Sequence, residues 1–300
     1  MEIKDRFKEY GENHCWQYNI RLQNLEEDLK EANLTKEEIS QLKVSDFTFE
    51  YVDKTDKLKC AEIVKFIERH EWLGKMPMRP TQRFTARYRG ILAGVVILAT
   101  PNSFSKLLGD KTKDIEKLIS RGACISWSPK NLGSALIMYS LRWMVKNTPF
   151  RIFTAYSDSE AKELGVLYQA CNFIYLGKSS GTSYNYFDPL KPHLGWFSDR
   201  EFRKAGKYKS YAKQLNIIWH PHWNTKWTIH WDKIPSNEAQ QIKQEAVDYQ
   251  SRCLERKVPS KHKYAYILGE NKKETKILLK EFRERNPKLY DLPYPKERGQ

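Results

Sequence analysis

The segment LISRGACISWSPKNLGSALIMYSLRWMVKNTPFRIFTAYSDSEAKELGVLYQACNFIYLGK, Leu118 to Lys178, decides the fold. It reads as strand, polar turn, helix, strand, helix, strand. An apolar strand from Leu118 to Trp127 runs into Ser128-Pro129-Lys130-Asn131-Leu132-Gly133-Ser134-Ala135, which opens an amphipathic helix. Backbone amides at a helix start lack partners inside the helix and point at anions, and small residues let a phosphate come close. A second strand, Arg151 to Tyr156, ends in Ser157-Asp158. A second helix then closes with Tyr168-Gln169-Ala170-Cys171-Asn172-Phe173. Strands alternating with helices in this way predict an α/β domain.

Outward from that block the pattern continues. On the N-terminal side, Phe47 to Val52 alternates as a strand, and Leu58 to Trp72 carries helical periodicity through Cys60, Ile63, Phe66 and Ile67. Leu73 to Pro80 is a Gly- and Pro-containing loop. Phe84 to Tyr88 and Ile91 to Leu98 flank Arg89-Gly90 as a hairpin, and Phe104 to Lys117 is a polar loop or short helix. Residues 1–46 form a helical preface: Leu22, Leu25, Leu29 and Leu34 mark an amphipathic helix, and Thr35-Lys36-Glu37-Glu38 is a capping box for a second. On the C-terminal side, Asp188-Pro189 and Lys191-Pro192 mark a boundary. Residues 47–190 then form the central domain and 191–300 a basic, aromatic-rich extension. Within the extension, Asp199 to Leu215 reads as helix, His220 to Trp231 as irregular, Asn237 to Arg256 as a long helix and Lys263 to Leu268 as a strand. Asn271 to Arg285 reads as a helix capped by Asn271, and the last ten residues read as a tail.

Composition narrows the function classes. Hydrophobic residues at 40% suffice for a core, and a mean hydropathy of −0.72 with 30% charged residues argues for a soluble chain. The longest apolar run, Ile91 to Ala99, is far short of a membrane span, and MEIKDRFKEYGENHC carries no apolar stretch of a secretory signal. Five scattered cysteines without a CxxC suit a reducing cytoplasm. Net charge is +15, and residues 191–300 hold 24 Lys and Arg against 13 Asp and Glu. A basic segment interleaved with aromatics favours nucleic-acid contact over a merely solvated surface.

Roughly Phe47 to Phe187 resembles the GNAT acyltransferase superfamily. The phosphate loop of that family reads Arg/Gln-x-x-Gly-x-Gly/Ala; here Lys130-Asn131-Leu132-Gly133-Ser134-Ala135 stands in its place, with Lys130 for the usual Arg or Gln. The family's closing helix carries a Tyr after an Asn or Asp and then Gly-Phe, matched by Asp158, Tyr168 and Asn172-Phe173 with Asn for Gly. Within the superfamily the chain resembles the Mom family of phage DNA-modification proteins. The residues that carry this are Ile119-Ser120-Arg121, Ser128-Pro129-Lys130-Asn131, Ala155-Tyr156-Ser157-Asp158 and Gly165-x-x-Tyr168-Gln169-Ala170-Cys171-Asn172-Phe173. The resemblance implies a GNAT-like central mixed sheet flanked by helices, with acetyl-CoA or a related acyl donor held at Ser128, Lys130, Asn131, Gly133, Ser134 and Ala135. It implies conversion of adenine N6 in double-stranded DNA to a carbamoylmethyl derivative, in the cytoplasm of a phage-infected host, as an anti-restriction device. An ordinary N-acetyltransferase of proteins or small amines, and a catalytically silent DNA-binding GNAT fold, are the two competing readings. A homodimer is compatible with the sequence.

Individual residues carry two readings each. Asp158 acts on the adenine amine or only caps a helix. Tyr168 protonates a leaving thiolate or is a core tyrosine. Ser120 contacts the acyl carbonyl and Arg121 a phosphate of DNA, or both are ordinary strand residues. His70, at a helix end, is a base or one ligand of iron, against the commoner helix-end histidine. His220, His222 and His230 read as loop histidines in preference to a metal site. Trp219, Trp223, Trp227 and Trp231 read as packing in preference to a base-stacking platform. Cys124 and Cys171 read as core thiols.

Overall fold

The computed structural model describes residues 15–77, 79–179, 183–226 and 228–296. The first 14 residues of the preface, Trp227 and the last four residues of the tail lie outside the described residues. Two compact units form: residues 1–180 with 260–300, and residues 181–259.

In chain order the elements are α1 (Trp16–Ala32), α2 (Lys36–Gln41), β1 (Thr48–Val52), α3 (Lys57–His70), β2 (Pro80–Tyr88), β3 (Ile91–Ala99) and α4 (Thr112–Ile115). Then come β4 (Glu116–Cys124), α5 (Leu132–Asn147), β5 (Ile152–Ser157), α6 (Val166–Ala170) and β6 (Ile174–Lys178). The second unit holds β7 (Ser183–Phe187), β8 (Trp196–Ser198), α7 (Ala205–Gln214), β9 (Asn224–Thr225), β10 (Thr228–Ile229), α8 (Ser236–Arg252) and β11 (Leu254–Val258). The chain then returns to the first unit as β12 (His262–Ile267) and α9 (Lys272–Arg285).

The first unit is a mixed α/β domain built on one seven-stranded sheet in the order β1-β2-β3-β4-β5-β12-β6. All neighbours are antiparallel except β4 and β5. Every residue of β3 from Leu92 to Ala99 is buried, so both faces of the sheet are covered at its centre. Helices α3 and α5 pack on it. Aromatic pairs fix α5 against the sheet: Tyr51 stacks on Trp143 at 4.1 Å and Phe49 on Tyr139 at 5.5 Å.

The capping box at Thr35 forms as expected, with Glu38 N–H donating to the Thr35 hydroxyl and Thr35 N–H to the Glu38 carboxylate. The preface is no separate module. Arg69 at the end of α3 binds Asp28 at 2.7 Å and Glu31 at 2.9 Å, tying α1 to the domain.

The expected boundary near residue 190 differs from the structure. Strand β12 pairs along the whole of β5, from Ile152↔Ile267 to Ser157↔His262, and α9 packs beside it through Leu278 and Phe282. Residues 260–300 therefore complete the first unit, and 181–259 form the second. Two Pro dipeptides read as a linker, yet they merely follow β7, an interior strand of the second unit's sheet. The expected tail packs too: the Tyr294 hydroxyl donates to the Phe173 carbonyl at 2.7 Å.

The second unit has a three-stranded sheet, β11-β7-β8, with α7 and α8 joined through Tyr186, Phe202, Tyr211, Ala212, Ile242, Ala246 and Tyr249. The helix expected to reach Arg256 stops at Arg252, because Leu254 to Val258 pairs with β7 instead. Trp223 is buried in a small cluster with Ile234 and Ala239, while Trp219 and Trp231 pack at its edge, which agrees with the packing reading.

Candidate active site

A gap between two parallel strands is the organising feature. Strands β4 and β5 pair only from Glu116↔Ile152 to Ile119↔Ala155. Beyond that point β4 follows β3 to Cys124, while β5 follows β12 to Ser157. The parting coincides with a bulge on β4. Ile119 faces Leu98 and Arg121 faces Ile97, which leaves Ser120 as the extra residue. A bulge bends its strand and frees a stretch of backbone from the ladder.

At the end of β4 stands the predicted anion cradle. Asn131 is the N-cap of α5 with φ +70°, a left-handed conformation that Asn tolerates well. The first-turn amides of Gly133 and Ser134 have no helical residue four positions before them. A Cβ at Gly133 would come within 3.2 Å of Leu167 Cδ1 and 3.5 Å of Cys124 Sγ, so the slot between α5 and α6 admits backbone only there. An open groove of about 400 Å³ continues from this slot, lined by Asn131, Ser134, Ala135, Met138, Arg142 and Cys171 among others. Ser128 is buried and Lys130 is exposed. Donor amides, a hydroxyl, an arginine and a Cβ-free slot together fit a nucleotide thioester such as CoA. Behind the cradle, Arg21 of α1 donates through one nitrogen to the Ser126 carbonyl at 2.9 Å, the Ser128 carbonyl at 3.1 Å and the Ser128 hydroxyl at 3.1 Å.

Two carboxylates and a phenol gather at the gap. Glu71, just past α3, is buried, and burial pushes its carboxyl up to about 7 despite Arg121 at 3.9 Å. Glu163 is likewise pushed up to about 7, by burial first and then by the charges of Asp158 and Glu71. It accepts from Asp158 N–H at 3.1 Å and from the Trp72 side chain. Burial, then the Glu163 charge, holds the Tyr168 hydroxyl well above the usual phenol range. A phenol in that state remains a proton donor at neutral pH. The Tyr168 ring is set by Phe173 at 5.3 Å and Tyr264 at 5.5 Å.

Gly165 makes this arrangement possible. It opens α6 at φ +70°, and a Cβ there would fall 2.5 Å from the Tyr264 ring. The Tyr264 hydroxyl donates to the Leu164 carbonyl. Residues 159–162 are turn and 163–165 irregular, and the second helix expected after Asp158 shrinks to Val166–Ala170.

The remaining predicted residues fall as follows. Asp158 follows β5 and caps no helix: its carboxylate accepts from Glu160 N–H at 3.0 Å and pairs with Lys261 at 2.7 Å. Arg121 borders the gap, but its guanidinium donates to the Lys75 carbonyl at 2.8 Å and the Ser120 carbonyl at 2.6 Å. His70 turns away to α1, with Nδ1 3.6 Å from Asp28. Burial lowers its pKa and favours the neutral ring. Asp28 is already committed to Arg69 and to Ser126 N–H, and no group of three metal-binding side chains converges among the described residues. These residues do not fit an iron site. Cys124 and Cys171 are both pushed up to about 11 by burial, so neither supplies a thiolate at neutral pH. His220 and His222 are exposed, and His230 shares a hydrogen bond with Thr225 at 2.9 Å.

Glu71, Glu163 and Arg21 are absent from the sequence-derived set. Glu71 follows His70 directly and sits between two apolar runs, a weak hint of burial. Glu163 reads as a solvated helix residue until β12 and α1 close around its loop.

The sequence profile of the Mom protein family matches residues 46–216. The chain belongs to the Mom family. That match spans the gap, the cradle, both raised carboxylates and Tyr168, while α1 with Arg21 precedes it. No curated protein matches this chain. Among solved structures, a GNAT family acetyltransferase from Elizabethkingia anophelis with acetyl-CoA bound is 9% identical, with a TM-score of 0.32, covering 74% of this chain and 99% of its own. An IAA acetyltransferase from Bacillus cereus is 13% identical, with a TM-score of 0.35 and the same coverage, 74% and 99%. A Bacillus subtilis acetyltransferase in complex with CoA is 12% identical at TM-score 0.32, again over 74% and 99%. No helix among the described residues is long and apolar enough to cross a membrane.

Proposed function

We propose that this chain modifies adenine in double-stranded DNA at the exocyclic N6, giving the carbamoylmethyl derivative, and that its cradle holds a CoA-type carrier of the donor group. The observation that carries the acceptor is the Mom family match over residues 46–216. The site supports the chemistry. When bound, a CoA-type donor would supply a carbamoylmethyl group activated at its CH2 carbon, with the carrier as leaving group; a plain acyl thioester would give an N6-acyl adenine instead. The amides of Gly133 and Ser134 bind its pyrophosphate, with Arg142 available to a further phosphate along the groove.

Substitution at N6 forms the N6–CH2 bond and breaks the bond from that carbon to the carrier, so one proton leaves the amine and one reaches the leaving group. Glu163 takes the first. Its raised pKa matches it to proton transfer near neutral pH, where a base is half ionised and still strong enough to act. The Glu71 charge makes Glu163 harder to ionise. Tyr168, kept protonated by burial and the Glu163 charge, gives the second proton. The backbone freed at Ser120 offers hydrogen bonds to the carbonyl of the donor. Asp158 orients Glu163 by presenting its N–H, with its own carboxylate neutralised by Lys261. Adenine reaches such a site only after leaving the base stack, at a cost of a few kcal/mol.

The test is nucleoside mass spectrometry on DNA from cells expressing the chain. The expected result is a new deoxyadenosine species heavier by C2H3NO. Acetylated protein or amine with unaltered DNA would instead establish the ordinary acetyltransferase reading.

A further inference from the structure

From Phe202 to Trp231 the chain contains no Asp or Glu, while Arg203, Lys204, Lys207, Lys209, Lys213 and Lys226 are all present. Thirty residues without a carboxylate are unusual in a chain where 37 of 300 are acidic. The structure explains where the charge goes. Helix α7 buries Ala205, Tyr211 and Ala212 and exposes Gly206, Lys209, Ser210 and Lys213. The exposed face is thus small residues and ammonium groups. Neither Lys209 nor Lys213 pairs with a carboxylate among the described residues. Nothing lies within 4 Å of a Cβ built on Gly206, so the helix backbone itself is open to close approach.

The same helix ends in a shallow open depression of about 370 Å³, lined by Lys209, Lys213, Asn216, Ile217, Ile218 and Trp219. Ile218 is 77% exposed beside these lysines. The Trp219 ring is held edge-on to Trp223 at 5.5 Å, and its N–H donates to Asn224 at 3.0 Å, which fixes the indole rigidly. The depression therefore combines two unpaired cations, an amide, a rigid aromatic and one protruding aliphatic side chain.

We infer that this face of the second unit, α7 with the loop Asn216 to Trp219, grips the backbone of duplex DNA without reading its sequence. Lys209 and Lys213 neutralise phosphates, Gly206 and Ser210 let the strand close on the helix, and Ile218 packs against the sugar edge of a groove. Apolar side chains set among cations are a recurring means of holding duplexes. This inference rests on the DNA reading of the catalytic gap. An anionic membrane would suit both the lysines and Ile218, and stands as the outcome to be tested against.

The experiment is fluorescence anisotropy of a labelled random-sequence duplex titrated with the full chain over a range of salt. Two variants are compared with the unaltered protein: Lys209→Ala with Lys213→Ala, and Ile218→Ser. Each phosphate contact contributes about 0.9 to the slope of log affinity against log salt, so the double lysine variant should lose roughly two units of slope. Ile218→Ser should weaken binding several-fold at unchanged slope, a separation that a purely electrostatic surface would not give. CoA affinity and thermal midpoint should stay as in the unaltered protein for both. Unchanged DNA affinity in both variants would overturn the inference, as would absent DNA binding or binding to phosphatidylglycerol vesicles alone. Normal adenine modification with no effect of these variants would remove this surface and leave the catalytic reading intact. DNA binding lost as predicted, but in a chain that never modifies adenine, would do the reverse.

Discussion

In the first unit, Glu71 and Glu163 are carboxylates withdrawn from water; in the second, Lys209 and Lys213 are ammonium groups standing in it. The two regions use charge under different physics. Burial makes ionisation costly, so the carboxylates titrate near neutral pH and become reagents. The lysines act by displacing counterions, which makes their contribution dependent on salt. A charged residue in this chain signals chemistry where the fold hides it and recognition where the fold displays it.

The largest effect is expected inside the gap. Glu163→Gln keeps the size and the acceptor for Asp158 N–H but removes the base, and should cut adenine modification by about 10²- to 10⁴-fold. Asp158→Asn, whose parent carboxylate is already neutralised by Lys261, should cost far less. Reversal of that order would return the role of base to Asp158. At the cradle, Gly133→Val fills the slot against Leu167 and should weaken CoA binding at least about tenfold, near 1.4 kcal/mol, in a calorimetric titration. Unchanged affinity would move the donor elsewhere.

Arg21→Ala should lower stability by about 1–3 kcal/mol in denaturant unfolding, because the Ser126 and Ser128 carbonyls lose a charged donor. The smallest effect is one of pH. Both raised carboxylates hold a proton in the folded state between about 4.5 and 7 that the unfolded chain releases. Their linkage therefore makes stability fall as pH rises through that window, after which the loss is complete. The slope of thermal midpoint against pH should be shallower in Glu163→Gln, whereas activity in the unaltered chain should rise through about pH 7. A midpoint that climbs more steeply in the variant would contradict the burial account.

Much of this fold is legible in the sequence. The Thr35 and Asn271 caps, the Arg89-Gly90 hairpin and the strand-turn-helix at Ser128 to Ala135 each follow from local chemistry, and each forms. What escapes is pairing across long separations. Nothing local to His262–Ile267 says that it joins β5, 105 or more residues away, instead of closing the second unit. That one pairing misplaces the domain boundary and hides the burial of Tyr264, hence the need for glycine at 165. The same holds for the site. Asp158 stands out because motifs flag it, while Glu163 becomes reactive only through groups distant in the sequence: the Trp72 side chain against it, and α1 and β12 closing on its loop.

The most direct measurement is nucleoside mass spectrometry on DNA from cells expressing, at equal folded levels, the unaltered chain, Glu163→Gln and Asp158→Asn. A deoxyadenosine species heavier by C2H3NO is predicted for the unaltered chain, retained in reduced amount by Asp158→Asn and lost in Glu163→Gln. Undiminished product in Glu163→Gln, or unmodified DNA from the unaltered chain, would contradict the assignment of the gap between β4 and β5 as the adenine-modifying centre.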